Sequence, residues 1–268
     1  MSDPVRRLSG QETAFYTEHG WLHAPALVEP GLIERMARKA RELHSVLRDG
    51  ASREGASGTV SVSAVAQAFG QNRGLAEADE DFAAPVFSPV MAGNAARLLP
   101  GEPDVRLQIN NLLVKEPVGG AHGPTTFHQD FPWFPMDRSS MLTVWLALVD
   151  IPAGMGSLRF YDRSHLYGSL GRSFARDGDD AISQHPWIAD LELSPPLDLK
   201  AGDATVHSAL TIHGAAPNAY GTPRLSFAWT YFDAGTLYTG SPFKQTDDLG
   251  LRVNEVFDHP AFPIVPRS

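Results

Sequence analysis

From about residue 104 to residue 235 the chain is a succession of short apolar or alternating runs: VRLQINNLLV, MLTVWLALVDI, SLRFYD, LDLK, ATVHSAL and RLSFAWTYFD. Pro and Gly punctuate them, and no long helical period separates them. Several short strands closed by turn signals point to an all-β sandwich or barrel. The expectation is a mainly β protein with a jelly-roll core over about 104–235. No internal repeat is visible.

The first hundred residues follow a different rule. Ser9-Gly10-Gln11-Glu12 has the form of a capping box, so a helix should run from there to about His19. Gly20 ends it, and WLHAPALV then looks like a strand. Pro30 suits a first helical position, where no N–H donor is needed. Leu32, Ile33, Met36, Ala40, Leu43 and Leu47 follow at three- and four-residue steps, so one helix face is buried. DGASREGASG, residues 49–58, reads as a flexible loop. Residues 59–82 have weak periodicity and are expected to be partly mobile, as a lid would be. Residues 85–99 look helical again. The plan is one domain over 1–268: a helical layer over about 9–100, the jelly roll, and a C-terminal extension to 268.

Bulk properties exclude several functions. Net charge is −9 with no basic run, which disfavours nucleic acid and anionic membranes as partners. With no cysteine, neither a disulfide nor a Cys-based zinc site can form. The N-terminus lacks an apolar signal core and no run of 18 apolar residues occurs, so a cytoplasmic location is expected. Nothing in the sequence sets an oligomeric state.

The chemistry concentrates in FHQDFPWFP, residues 127–135. On a strand, residues two apart share a face, so His128 and Asp130 can converge on one point. Imidazole and carboxylate together suit a borderline ion such as Fe(II). A lone His-x-Asp is more often a surface pair, so the reading needs a second histidine. Among the ten histidines only His128 has an acid two residues later. His213 is the best distal partner: it ends an apolar run, and Gly214 after it permits close backbone approach to a bound group. His207, six residues earlier, is read as a core or pocket histidine. Arg224 follows eleven residues after His213. A buried arginine holds a carboxylate by a bidentate fork, and Ser226, on the same strand face, can add a hydrogen bond. Two histidines and one carboxylate on one face of an octahedron leave three positions open. With an anchored carboxylate nearby, that arrangement suits a 2-oxo acid.

In these features the sequence resembles the phytanoyl-CoA dioxygenase-like Fe(II)/2-oxoglutarate oxygenases. The likeness runs from FYTEHGWL to PRLSFAWTYF. It is carried by HQD at 128–130, AGMGSLRFYDRSH at 153–165, AGDATVHSALTIHG at 201–214, Asn218 and Arg224. It implies a double-stranded β-helix (cupin-like jelly roll) with Fe(II) on His128, Asp130 and His213. It also implies 2-oxoglutarate and O2 as cosubstrates, with Arg224 on the 2-oxoglutarate. Trp145 matches a position lining the cosubstrate site, and Gln129 and Asn111 are weaker matches of the same kind. Two departures stand out. Ala215 occupies a place where relatives often carry Ser or Thr, a hydrogen bond that Ser226 or Thr143 can replace. Met155-Gly156 stands for the usual Asn-Gly.

The resemblance further implies substrate hydrogen abstraction, ending in hydroxylation by default or in cyclisation, epimerisation or desaturation. Asp130 fills the position a halide would need, which disfavours halogenation. Phe131, Trp133 and Phe134 favour an apolar, ring-containing small molecule, although any one of them can equally be packing. The likeness extends more loosely to the branch that tailors bacterial secondary metabolites, including aromatic polyketides and antibiotics. An acyl-CoA or other lipid-like substrate is the alternative, and it fits the acidic charge balance less well. Two other classes are a non-catalytic jelly-roll binding module and an isomerase using a divalent ion. His122, Arg138 and Arg163 are read as surface residues.

Overall fold

The computed structural model describes residues 2–54, 70–117, 123–172 and 180–267, with the side chains of 46–54 and 70–73 left aside. Residues 59–69 of the lid expected at 59–82 lie outside the described residues, as does His122; the remainder is a short strand followed by helix. Helix α1 spans Gly10–His19, with both halves of the Ser9–Glu12 capping box formed and Gly20 closing it at φ 80°. Strand β1, Trp21–Ala24, follows at once. Helix α2 covers Pro30–Glu54, so residues 49–54 of the loop expected at 49–58 are helical, and the rest lie outside the described residues. The interior Gly50 does not stop the helix, since one glycine lowers helix stability by only about 1 kcal/mol. Leu32, Ile33, Met36 and Ala40 are buried, as their spacing requires. The short helices α3 (Leu75–Ala78) and α4 (Glu80–Val86) and then α5 (Pro89–Leu98) complete the helical layer. No described helix is long and apolar enough to cross a membrane.

The jelly roll is built on β2 (Gly70–Arg73), β3 (Val105–Lys115), β4 (Thr125–His128), β5 (Met141–Ala147) and β6 (Leu158–Phe160). Next come β7 (Ala204–Ser208), β8 (His213–Ala215), β9 (Arg224–Asp233) and β10 (Ile264–Val265). The large sheet runs β1-β7-β5-β9-β3-β10, with β2 also on β3; the small sheet is β4-β8-β6. The paired strands are antiparallel. The run LDLK forms no strand; it gives one isolated bridge, Ile151 to Leu199.

Strand alternation sorts the large sheet into two faces. Leu225, Phe227, Trp229 and Tyr231 of β9 join Leu112, Val114, Leu142, Val144, Leu146 and Val206 in the core shared with the helices. Full burial of each such aliphatic or Phe side chain contributes roughly 1.5–3 kcal/mol. The alternate residues of β9 are Arg224, Ser226, Ala228 and Thr230. Opposite them in register stand Lys115, Leu113, Asn111 and Ile109 of β3, and Ala147, Trp145 and Thr143 of β5. His207 and Thr205 of β7 continue the rows. The chemically active side chains thus share the interior face. Beyond the barrel, β10 pairs with the start of β3. Phe257 and Phe262 of the C-terminal extension pack with Phe232 and Tyr238, against which Phe131 and Phe134 also lean.

Candidate metal and cosubstrate site

The small sheet places the two histidines. His128 and His213 are cross-strand partners in the β4–β8 register, with ring centroids 4.3 Å apart. Gly214 makes this closeness possible: a Cβ there would lie 2.9 Å from the Thr125 carbonyl oxygen. The close approach at Gly214 is thus to the neighbouring strand, where the sequence suggested a bound group.

Asp130 is not on the strand. β4 ends at His128, and Asp130 is helical in φ and ψ (−74°, −43°), opening a 3-10 turn over Phe131–Trp133. The convergence with His128 thus comes from the turn, with Pro132 inside it, and not from strand alternation. The Asp130 Oδ1 lies 3.6 Å from Nε2 of His128 and 3.8 Å from Nε2 of His213. Among the described residues, these three bring ligand atoms within 4.8 Å of one another.

The protonation pattern suits a metal. His128 Nδ1 lies 2.8 Å from the Thr126 carbonyl and His213 Nδ1 lies 3.0 Å from the Thr211 carbonyl. Each carbonyl accepts the Nδ1 hydrogen, which leaves the Nε2 lone pair facing Asp130. Burial, followed by the neighbouring His207 and His128, holds His213 well below its ordinary value and so neutral. Burial raises the Asp130 carboxyl, but the imidazoles of His213, His128 and His207 around it outweigh that and hold it well below its ordinary range, so the carboxylate is ionised. Two neutral imidazoles and one carboxylate are the donor set for a mononuclear Fe(II) centre.

A second polar centre lies along the same face. Arg224 is 1% exposed, its guanidinium 5.0 Å above the Trp145 ring. One nitrogen donates to the Gly156 carbonyl, while Nε and Nη2 have no partner among the described residues. Such buried donors signal a missing acceptor, and a carboxylate supplies one. Burial lowers the Arg224 guanidinium to about 9. Directly across the strand pair stands Lys115, fully buried, which the sequence reading did not single out. Its amine donates to the Ala216 carbonyl at 2.9 Å and to Thr125 Oγ1 at 3.2 Å. Burial, then the charge of Arg224, lowers it to about 7. Its signal was its place two and four residues after Leu113 and Asn111, at the end of one strand. The partner strand that brings it to Arg224 cannot be seen in sequence.

The other expected residues take varied positions. Trp145, Asn111 and Ser226 face the same interior; the Ser226 hydroxyl donates to the Leu113 carbonyl, and Asn111 Oδ1 is buried with no partner among the described residues. Thr143 donates to Asp130 Oδ2 at 2.8 Å. Gln129 points the other way: its amide donates to the carbonyls of Gly168 and Leu210, and its oxygen accepts from the Leu170 N–H. It thereby ties residues 168–170 to the loop between the two ligands. Phe134 meets Phe243 edge-on, while Trp133 carries the Arg172 guanidinium at 5.4 Å. Arg138 and Arg163 sit in exposed ion pairs with Asp137 and Glu18.

A jelly roll with this donor set and a buried arginine beside it defines a class, the Fe(II)/2-oxoglutarate-dependent oxygenases. The chain belongs to the phytanoyl-CoA dioxygenase (PhyH) family, whose pattern matches residues 16–226. It is accordingly an oxidoreductase that uses iron, 2-oxoglutarate and O2 on a small-molecule substrate.

Solved structures agree. The epimerase SnoN of nogalamycin biosynthesis, in complex with Fe3+, alpha ketoglutarate and nogalamycin RO, is 26% identical. The match covers 95% of this chain and 97% of that one, with a TM-score of 0.74. The carbocyclase SnoK of the same biosynthesis is 23% identical over 96% of each chain, with a TM-score of 0.71. EctD from S. alaskensis, with 2-oxoglutarate and 5-hydroxyectoine, is 17% identical over 89% of this chain and 83% of that one, at TM-score 0.66. The last two speak to the fold alone. No curated protein matches the chain in sequence.

Proposed function

We propose that the chain tailors an apolar, ring-containing small molecule in natural-product biosynthesis, with His128, Asp130 and His213 holding the iron. The observation that carries the site is the cross-strand His128–His213 pair meeting Asp130 Oδ1 at 3.6 and 3.8 Å. Bound Fe(II), with 2-oxoglutarate and O2, supplies the oxidant that removes a substrate hydrogen. The chain's own residues do the rest. Arg224 and Lys115 take the far carboxylate of 2-oxoglutarate. Trp145, Asn111 and Ser226 line its path to the metal. Gln129 fixes the 168–170 segment over the loop that bears Asp130. Buried apolar walls keep water from the reacting centre. We further propose that the helical layer, jelly roll and C-terminal extension act as one catalytic unit.

The substrate reading rests on the Phe131–Phe134 turn, where Trp133 and its Arg172 cap stand next to the metal loop. The similarity to SnoN supports a polycyclic aromatic substrate. Rebound hydroxylation is the default outcome. Epimerisation, cyclisation or desaturation would follow where the pocket walls hold the reacting carbon too far from the metal for hydroxylation. The test is succinate release by the iron-loaded enzyme in air with 2-oxoglutarate, comparing polycyclic aromatic polyketides with acyl-CoA thioesters. Stimulation above the substrate-free rate by the polyketides is expected. Stimulation by the thioesters alone would reassign the substrate class.

A further inference from the structure

We propose that His207 is a positioning residue that, together with Thr143, restricts Asp130 to a single metal-donor oxygen. The inference rests on the iron site proposed above and concerns the far side of its carboxylate. The two oxygens of Asp130 have different surroundings. Oδ1 faces the Nε2 atoms of His128 and His213 at 3.6 and 3.8 Å. Oδ2 accepts the Thr143 hydroxyl at 2.8 Å and lies 3.3 Å from His207 Nε2. Both partners are fixed by the large sheet. His207 and Thr143 are cross-strand neighbours in the β7–β5 register, and the Thr143 hydroxyl also meets that of Thr230 at 3.0 Å. His207 is 1% exposed, and its ring lies 4.1 Å from that of His213.

The hydrogen bonds assign the tautomer. An ionised carboxylate only accepts, so the nitrogen facing Oδ2 must carry the hydrogen. His207 Nδ1 is buried without a partner among the described residues. In the Nε2–H tautomer that atom is a bare lone pair. In the opposite tautomer a lone pair would face the carboxylate and a buried N–H donor would go unmet, both costly in a dry site. The tautomer is therefore the reverse of that in His128 and His213. It also explains why a third imidazole this close is not a ligand: its remaining lone pair does not face the carboxylate. With two donors on Oδ2, the carboxylate stays monodentate. Two imidazoles and one oxygen then leave three metal positions, two for a chelating 2-oxo acid and one for O2. Without His207, only the Thr143 hydroxyl would hold Oδ2 back from turning toward the metal and taking one of them.

The experiment uses the full chain labelled with 15N, both metal-free and loaded with Zn(II), a redox-silent and diamagnetic probe. Long-range 1H–15N spectra should show His207 as the Nε2–H tautomer in both states, with His128 and His213 as Nδ1–H. An Nδ1–H tautomer for His207, or a third zinc-bound imidazole, would overturn the proposal. Because the metal-free spectrum carries the assignment, failure of the iron reading, seen as no zinc binding at all, is separable from failure of this one. Calorimetric Zn(II) titration supplies the second arm. His207→Leu should weaken zinc binding by roughly 10–100-fold, the usual effect of losing a group that orients a ligand. His207→Gln, which keeps an N–H near the same place, should recover most of that. Equal weakening in both variants, with equal loss of Tm, would reduce His207 to packing and refute the positioning role.

Discussion

Replacing Lys115 with methionine removes one amine from the cosubstrate pocket and nearly preserves its volume. In the free protein, burial and then Arg224 lower the Lys115 ammonium from its ordinary 10.5 to about 7. A carboxylate arriving beside it favours the charged form, so above pH 7 the cosubstrate must bind together with a proton. One unit above the pKa, about nine-tenths of the free protein carries a neutral amine, and binding then takes up ~0.9 proton. Affinity for 2-oxoglutarate should fall by up to about tenfold per pH unit, ~1.4 kcal/mol, between pH 7 and 8.5. Arg224, lowered to about 9, stays largely charged through that window. The assay is calorimetry on Zn(II)-loaded protein in two buffers of different ionisation enthalpy. Lys115→Met should bind more weakly than wild type at pH 7 and lose the pH slope. Arg224→Ala, as a control, should bind more weakly still yet keep a slope.

The same shift has a folding consequence with a definite sign. Between about 7 and 10.5 the unfolded chain holds the Lys115 proton and the free folded protein does not, so this group makes stability rise with pH there. Lys115→Met should therefore stabilise the free protein most below pH 7, with the advantage vanishing toward pH 10.5. A wild-type affinity that is flat from pH 6.5 to 8.5, with no proton uptake, would refute the placement of Lys115 at the carboxylate.

Two glycines provide the remaining predictions. Gly214→Ala pushes a methyl to 2.9 Å from the Thr125 carbonyl, and overpacking of this kind costs about 1–3 kcal/mol. Thermal melting should show a Tm lower by roughly 2–4 °C per kcal/mol, with metal affinity reduced because β4 and β8 carry the two histidines. Gly156→Ala meets the Ala216 carbonyl at 2.5 Å from a backbone at φ 80°. It should disturb the carbonyl that holds Arg224 and weaken 2-oxoglutarate binding more than metal binding in the same titrations.

Most of the strands were legible from local alternation, and the candidate trio His128, Asp130 and His213 from the HQD run together with a distal His-Gly. The run RLSFAWTYFD is β9 residue for residue, since large apolar residues alternate with small ones and no Pro or Gly interrupts it. The capping box and Gly20 fixed α1 for an equally local reason. What the sequence hid depends on contacts between distant segments. Lys115 looks like an ordinary strand-end lysine until β9 brings Arg224 opposite it. Thr143 was expected at the cosubstrate, but the sheet register turns its hydroxyl onto Asp130. Gln129, between His128 and Asp130, was expected to line the cosubstrate site. Its amide instead meets Gly168, Leu170 and Leu210, 39 to 81 residues away. The turn that carries Asp130 was misjudged as strand because His-x-Asp spacing fits both conformations. Only the backbone angles separate them.

The most direct test of the site is an anaerobic titration of the protein with Fe(II) and 2-oxoglutarate, followed in the visible region. A weak metal-to-ligand charge-transfer band should grow to one equivalent of each and be absent in His213→Ala. A wild-type protein that shows no band, and releases no succinate when air is admitted, would contradict an iron and 2-oxo acid site built on His128, Asp130, His213 and Arg224.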